Sequence, residues 1–147
     1  MLAAVPLVIL WLHVLAAIAW IGGMLFIALV LVPVTRRLED PAMRTRLVQE
    51  TGQRFRTVGW IALTVLVVTG LLNLSIHPDL LSSPQFHWKL GLVGLALILS
   101  AFHDFVLGPR AGAPGADPST RVRASWVARI NVVVVLVVVL LGLSLVE

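Results

Sequence analysis

The sequence predicts an all-α integral membrane protein, a bundle of four transmembrane helices with both termini on the outer, periplasmic side. Of its 147 residues, 59% are hydrophobic and only 12% are charged, about half the charge of a typical soluble domain. The apolar residues form four continuous runs, each near the ~20 residues that a helix needs to cross a bilayer. The basic residues are concentrated in two of the three connections, which is typical of a topology signal.

The four runs cover residues 5–32, 58–74, 88–107 and 126–146 of a single predicted membrane domain, 1–147. Each run is continuously apolar, whereas the strands of a membrane barrel alternate between polar and apolar positions. Backbone groups in lipid must bond within their own segment, so each run is predicted to be a helix. The first run has no charged residue before Arg36, which favours a full span over a cleaved signal peptide. Internal duplication is not evident.

The connections predict the orientation of the chain. The middle connection, residues 75–87, contains no Lys or Arg, whereas the first, residues 33–57, and the third, residues 108–125, are rich in arginine. The positive-inside rule therefore places the first and third connections on the cytoplasmic side of the membrane. A short amphipathic helix after Pro41 is predicted in the first connection. Pro109, Pro114, Pro118 and several glycines predict an irregular loop in the third.

The composition excludes several functional classes. The chain has no Cys, which rules out disulfides, thiolate metal sites and thiol catalysis. Its net charge of +4 comes from residues in short connections between apolar runs. The lipid bilayer, and not nucleic acid, is therefore the predicted partner.

Polar side chains inside the runs are the candidate functional residues, because placing them in a membrane is costly. Helical spacing puts two sets of residues on common faces, and both faces are predicted to point into the bundle. The first run contributes His13, Ala16, Ala17, Trp20 and Met24, and the third contributes Lys89, Ala96, Ser100 and His103.

Histidines near the outer surface favour a metal site. His13 lies in the outer part of the first run, and His77 and His87 flank the middle connection. Imidazole is a common ligand of copper and zinc, so these three residues are candidate ligands of one of these metals. Lys89, Trp20 and Asn73 are predicted to support or gate this site. His103 and Asp104 form a separate polar site near the inner side.

Other interpretations remain open. One imidazole, or an imidazole with a second ligand, can hold haem iron within a helical bundle, and His13, Lys89 and His103 are the candidate haem residues. Titratable groups at different depths can also relay protons. A structural or assembly subunit without a cofactor is a third possibility, since interfacial histidines and lysines often only form hydrogen bonds or anchor a helix. Whether a reaction is catalysed stays open.

Several short motifs follow one another along the chain. They are the stretch from His13 through Trp20-Ile-Gly-Gly23 to Pro33 and Arg36-Arg37, then Arg54-Phe55, Thr69-Gly70-Leu-Leu-Asn73, Lys89-Leu90, His103 and Pro109-Arg110. Taken in order, these motifs resemble the membrane domain of the copper resistance protein D (CopD) family. This resemblance implies a four-helix domain of the bacterial inner membrane associated with copper uptake or tolerance, acting as a homo-oligomer or with a periplasmic copper-binding partner. It makes copper the predicted metal of the three outer histidines.

A more distant resemblance concerns HemJ-type protoporphyrinogen oxidases. His13 and Lys89 are similar to the early intramembrane histidine and the later lysine of those proteins. This second resemblance implies a b-type haem.

Overall fold

The computed structural model describes residues 4–113 and 115–144, which form helices and turns without a strand. In this part of the chain four helices are long and apolar enough to cross a membrane. They are α1 (Val5–Thr35), α2 (Pro41–Ile76), α3 (Pro84–Gly112) and α4 (Pro118–Leu143). The predicted all-α membrane class is confirmed. The outward orientation of the termini stays a prediction.

The chain divides into two compact units, Met1–Leu80 and Leu81–Glu147. Helices α1 and α2 pack together in the first hairpin, and α3 and α4 pack together in the second. We call the end of a hairpin that carries its connection the junction end, and the opposite end the open end. The assignment of residues 1–147 to a single domain stays a prediction.

Proline sets the start of three helices. Pro41, Pro84 and Pro118 each occupy a first-turn position, where a missing N–H costs nothing. The preceding Asp40 and Asp117 cap α2 and α4 by accepting hydrogen bonds from the backbone N–H two residues on, at 2.8 and 3.3 Å. These three helices therefore begin before the positions that hydropathy gives, which are residues 58, 88 and 126.

The first connection is much shorter than predicted. The residues after Pro41 do not form a separate amphipathic helix but belong to the 36-residue α2. No proline interrupts residues 42–76, and an ion pair of 2.7 Å joins Arg46 to Glu50 one turn on. The prediction failed because hydropathy marks only the part of a helix that contacts lipid. Helix α2 begins before its apolar part, at Pro41.

The prediction of an irregular loop over residues 108–125 is wrong. Helix α3 continues to Gly112, and α4 begins at Pro118. The turn between them uses Gly115, whose φ of 74° lies in the left-handed region that glycine adopts without strain. The predicted end of the last run at residue 146 lies outside the described residues, as does Pro114.

A π-helical turn precedes a proline in both α1 and α3. The turns are Ile27–Leu31 and His103–Leu107, and each closes with a hydrogen bond from the N–H of residue i+5 to the carbonyl of residue i. Pro33 and Pro109 follow at the second position after each turn. Proline inside a helix clashes with the carbonyl four residues earlier, and the wider π turn accommodates it.

The two hairpins share one plan. Each pairs a helix containing a π turn and a proline with a second helix that begins with Asp-Pro. Pro109 follows Pro33 by 76 positions, and the π turn at His103 follows the one at Ile27 by the same 76. Lys89 in turn follows His13 by 76. The structure thus shows a repeat that the residue identities do not make evident.

A few buried side chains mark the contact between the helices of each hairpin. In the first hairpin Ala16 and Trp20 of α1 are buried, as are Ala62 and Leu63 of α2. In the second, buried residues include Ala96 and Val135. The predicted inward faces are confirmed, with His13, Ala17, Met24, Lys89 and His103 half-buried and Ser100 buried.

The cap of α4 gives a testable pH dependence. Hydrogen bonds from the hydroxyl and the backbone N–H of Ser119 lower the pKa of Asp117. A carboxyl whose pKa is lower in the folded state stabilises the fold above its unfolded pKa of about 3.9, and the contribution disappears as pH falls through the folded pKa. We therefore expect the Ser119 amide resonance to titrate with a midpoint below about 3.9 in an NMR titration in detergent micelles. Asp117→Asn, which keeps a cap without a charge, should abolish that titration. A midpoint at or above about 3.9 in the wild type would contradict the assignment.

Candidate functional site

His13 is held between the two helices of the first hairpin. Its Nδ1 lies 2.8 Å from the hydroxyl of Thr69, a buried residue of α2. Gly70 of α2 lies beside the ring, since a Cβ at this position would make an ordinary van der Waals contact of 3.6 Å with Cε1 of His13. The imidazole is therefore held against α2 by its hydrogen bond with Thr69.

The hydrogen bonds of Thr69 assign the tautomer of His13. The Thr69 hydroxyl lies 2.6 Å from the carbonyl oxygen of Val65, and since a carbonyl only accepts, the hydroxyl proton is donated there. Oγ1 must then accept from His13, so Nδ1 of the imidazole carries its proton. In the neutral ring the lone pair is on Nε2, the nitrogen through which such a histidine binds a metal.

Trp20 lies one heptad along α1 from His13 and supports the same helix contact. It is buried, and its Cδ1 lies 3.6 Å from the position of a Cβ on Gly59. The ring of Phe55 packs directly against Gly23, one turn further on. These aromatic side chains fix the register of α1 on α2, and with it the pairing of His13 with Thr69.

His77 lies beyond this contact, at the open end of the first hairpin. It caps the end of α2, where its N–H donates to the carbonyl of Asn73 at 2.9 Å, and its side chain is exposed. Eight residues separate it from Thr69, which corresponds to roughly 12 Å along the helix axis. The structure therefore does not place His77 at the level of His13.

His87 and Lys89 lie in the first turns of α3. The ring of His87 is exposed, and its Nδ1–H donates to the carbonyl of Ser83 at 2.9 Å. The half-buried Lys89 reaches α4, where its Nζ lies 3.4 Å from the position of a Cβ on Gly142. Lys89 thus packs on a glycine of the following helix, as His13 does in the first hairpin.

His103 and Asp104 are in contact within the π turn of α3. The carboxylate oxygen of Asp104 lies 2.9 Å from Nδ1 of His103. Because the carboxylate accepts, Nδ1 donates here as well. A π turn at a pair of titratable residues is a common feature of functional sites.

The structure reveals a second buried polar pair that was not among the predicted site residues. Asn131 of α4 donates from Nδ2 to the hydroxyl of Ser100 on α3 at 2.8 Å, and both residues are buried. Such a bond between helices in lipid acts as a polar link between them. Ser100 and Asn131, like Thr69, were recognisable as polar residues within apolar runs, but their partners depend on how the helices pair.

Within residues 4–113 and 115–144, no three His, Asp or Glu side chains form a group able to hold a metal ion. The copper site of His13, His77 and His87 therefore stays a prediction. What the structure does show is that each of three histidines, His13, His87 and His103, has an acceptor at Nδ1.

Comparison with known sequences decides the family. Residues 49–145 match the family of copper resistance protein D, which is more than half of the chain. The chain belongs to the CopD family. Along almost its entire length it is also similar to an uncharacterized protein of Aquifex aeolicus (strain VF5), with 35% identity over 137 residues that cover 92% of each chain. No solved structure matches it.

The CopD match begins inside α2 and extends to the end of α4. It includes Thr69, His77 and Lys89, whereas His13 and Trp20 of α1 lie before it. CopD membership supports a multi-pass membrane protein of a copper-resistance family. The role of His13 depends on its own geometry in this chain.

Proposed function

We propose that this CopD protein binds copper near the outer face of a bacterial inner membrane and passes it on, with His13 as the membrane-embedded ligand. The observation that carries the proposal is the position of the Thr69 hydroxyl, 2.8 Å from Nδ1 of His13 and 2.6 Å from the carbonyl oxygen of Val65. From it we infer that Nδ1–H of His13 donates to Thr69 and that the lone pair is on Nε2. Histidine ligands usually donate their other ring N–H to a fixed acceptor, and imidazole suits copper(II). Family membership supports copper as the cargo.

The exposed histidines at the ends of helices are proposed as capture positions. His77 lies at the end of α2, roughly 12 Å from the level of Thr69, so His77 and His13 fit successive binding positions better than one coordination sphere. His87 is the corresponding capture residue at the start of α3. Water, a second copy of the chain or a periplasmic copper-binding protein would complete the coordination at each step.

The remaining predicted residues have supporting roles in the proposal. Trp20 holds α1 against α2 below His13, and Asn73 fixes the backbone at His77. Lys89 is a gating cation in the second hairpin. His103 and Asp104 form the polar pair near the predicted inner side.

The test is an absorption spectrum with elemental analysis on protein purified in mild detergent without added metal. We expect the wild type to retain copper and His13→Ala to lose most of it. His103→Ala is the matched control, because it removes an imidazole whose Nδ1 partner is Asp104 in the other hairpin. Equal copper content in wild type and His13→Ala would overturn the proposal.

A b-type haem is the second candidate, favoured by the same geometry. A haem iron can be held by a single axial imidazole, and His13 presents one with a fixed ring orientation. A Soret band that disappears in His13→Ala would make this a haem protein. If the protein binds no copper and shows no Soret band, even after copper and haem are added, the remaining interpretation is a structural or assembly subunit.

A further inference from the structure

The first hairpin has a mismatch in depth between its two helices. The charge-free part of α2, residues 57–76, measures about 30 Å, which is the thickness of the hydrocarbon core. Arg54 and Arg56 therefore mark the edge of that core on α2. On α1 the same level is fixed by Gly23, because the ring of Phe55 packs against it.

Helix α1 stays apolar well past this level. Residues 24–35 contain no charge and extend about 18 Å further, beside the arginine-rich half of α2. Phe26 and Leu29 in this segment are 52% and 69% exposed, so other parts of the chain cover little of them. Lipid chains around α1 thus reach the depth at which α2 presents arginines, and those cations need anionic partners there.

An open polar surface of α2 lies at the same level. It is formed by Glu50, Thr51, Gln53, Arg54 and Thr57. The carboxylate of Glu50 is already neutralised by Arg46 at 2.7 Å. Arg54 is exposed and forms no ion pair with another residue that the structure describes. One guanidinium with hydroxyl and amide groups around it is a suitable arrangement for a phosphate ester.

We propose that this surface binds the headgroup of an anionic phospholipid. The guanidinium of Arg54 holds the phosphate, Thr51 and Thr57 bond the headgroup oxygens, and the acyl chains cover the apolar end of α1. One lipid molecule satisfies both helices at this depth. Its phosphate supplies an anion to the arginine of α2, and its acyl chains supply the hydrocarbon that surrounds α1. A free phosphate ion could pair with Arg54 but could not cover the apolar end of α1, so the structure favours a lipid over free phosphate.

The test is native mass spectrometry of the full chain in detergent, titrated with phosphatidylglycerol or with zwitterionic phosphatidylcholine. We expect phosphatidylglycerol to be retained preferentially and Arg54→Gln to weaken its binding about fivefold. Arg110→Gln is the charge-matched control, since it removes an exposed arginine that is not part of this surface and leaves the pairing of Glu50 intact. Its phosphatidylglycerol binding should equal that of the wild type. Circular dichroism checks that both variants keep their helix content, and Thr57→Val is a second variant expected to weaken binding.

Five results would overturn the proposal. The first three are equal retention of the two lipids, equal weakening by Arg110→Gln and Arg54→Gln, and unchanged binding in both Arg54→Gln and Thr57→Val. The fourth is displacement of the lipid by inorganic phosphate, which would indicate a site for the free anion. A dimer that retains no lipid and dissociates on Arg54→Gln would assign the surface to a second copy of the chain.

Discussion

Gly23→Ala should lower the free energy of unfolding by about 1–3 kcal/mol, as overpacking of a tight contact does. A methyl group on Gly23 would lie 2.8 and 2.9 Å from Cδ2 and Cζ of Phe55, and closer still to Cε2. These atoms belong to a ring that is also packed near Gly59, at 3.8 Å from the position of a Cβ there. The ring must therefore move, and α1 must separate from α2 around it.

Gly22→Ala is the control for this prediction. A methyl group on Gly22 meets nothing within 4 Å, and alanine is favoured over glycine inside a helix by about 0.5–1 kcal/mol. Thermal unfolding of both variants in the same detergent should show a lower midpoint for Gly23→Ala and an unchanged or higher one for Gly22→Ala. Similar midpoints in the two variants would mean that Phe55 does not hold the helices together.

The sequence predicted the number and type of the helices because hydropathy reports contact with lipid. The sequence did not predict the helix ends, because a helix ends where its backbone hydrogen bonds end. Hydropathy does not report that position. Residues 41–57 are polar but contain no proline after Pro41, so α2 runs through them. The Asp-Pro pairs at Asp40 and Asp117 do mark the true helix starts, and those signals are local enough to be read from a sequence.

The repeat shared by the hairpins was hidden for a similar reason. It consists of a π turn, a proline and a position that packs on a glycine, and these features do not require identical residues. His13 and Lys89 occupy equivalent positions 76 residues apart, one on Gly70 and the other on Gly142. The two hairpins therefore differ at this position, which carries an imidazole in the first and an amine in the second.

The candidate site was predicted only in part. Spacing placed His13 on the inward face of α1, and the structure confirms that face. The partner of His13 could not be predicted, because it depends on the register of α1 against α2. That register is fixed by Phe55 on Gly23 and by Trp20 on Gly59. Thr69 thus gains its importance from packing, although its sequence neighbourhood resembles that of Thr64.

Thr69→Val should reduce the affinity of the proposed His13 site for added copper or haem about 10–100-fold, the usual effect of losing the group that orients a ligating histidine. Valine keeps the shape of threonine but cannot accept the Nδ1–H of His13. The ring is then free to rotate and to exchange its tautomer. Thr64→Val is the matched control, because it removes a hydroxyl that donates only to the carbonyl of Trp60 on an exposed face of the same helix.

The tautomer itself can be measured without any ligand. In the wild type, ¹⁵N NMR of the His13 ring should show a protonated Nδ1 and an unprotonated Nε2, because Thr69 has donated its own proton to Val65 at 2.6 Å. Thr69→Ser keeps the hydroxyl and should preserve this pattern, whereas Thr69→Val should give a mixture of both tautomers. A wild-type ring protonated on Nε2 would reverse the direction of the hydrogen bond and point the lone pair of His13 at Thr69. In that case His13 could not bind a metal through Nε2, and the ligand role would have to move to the exposed imidazoles of His77 and His87.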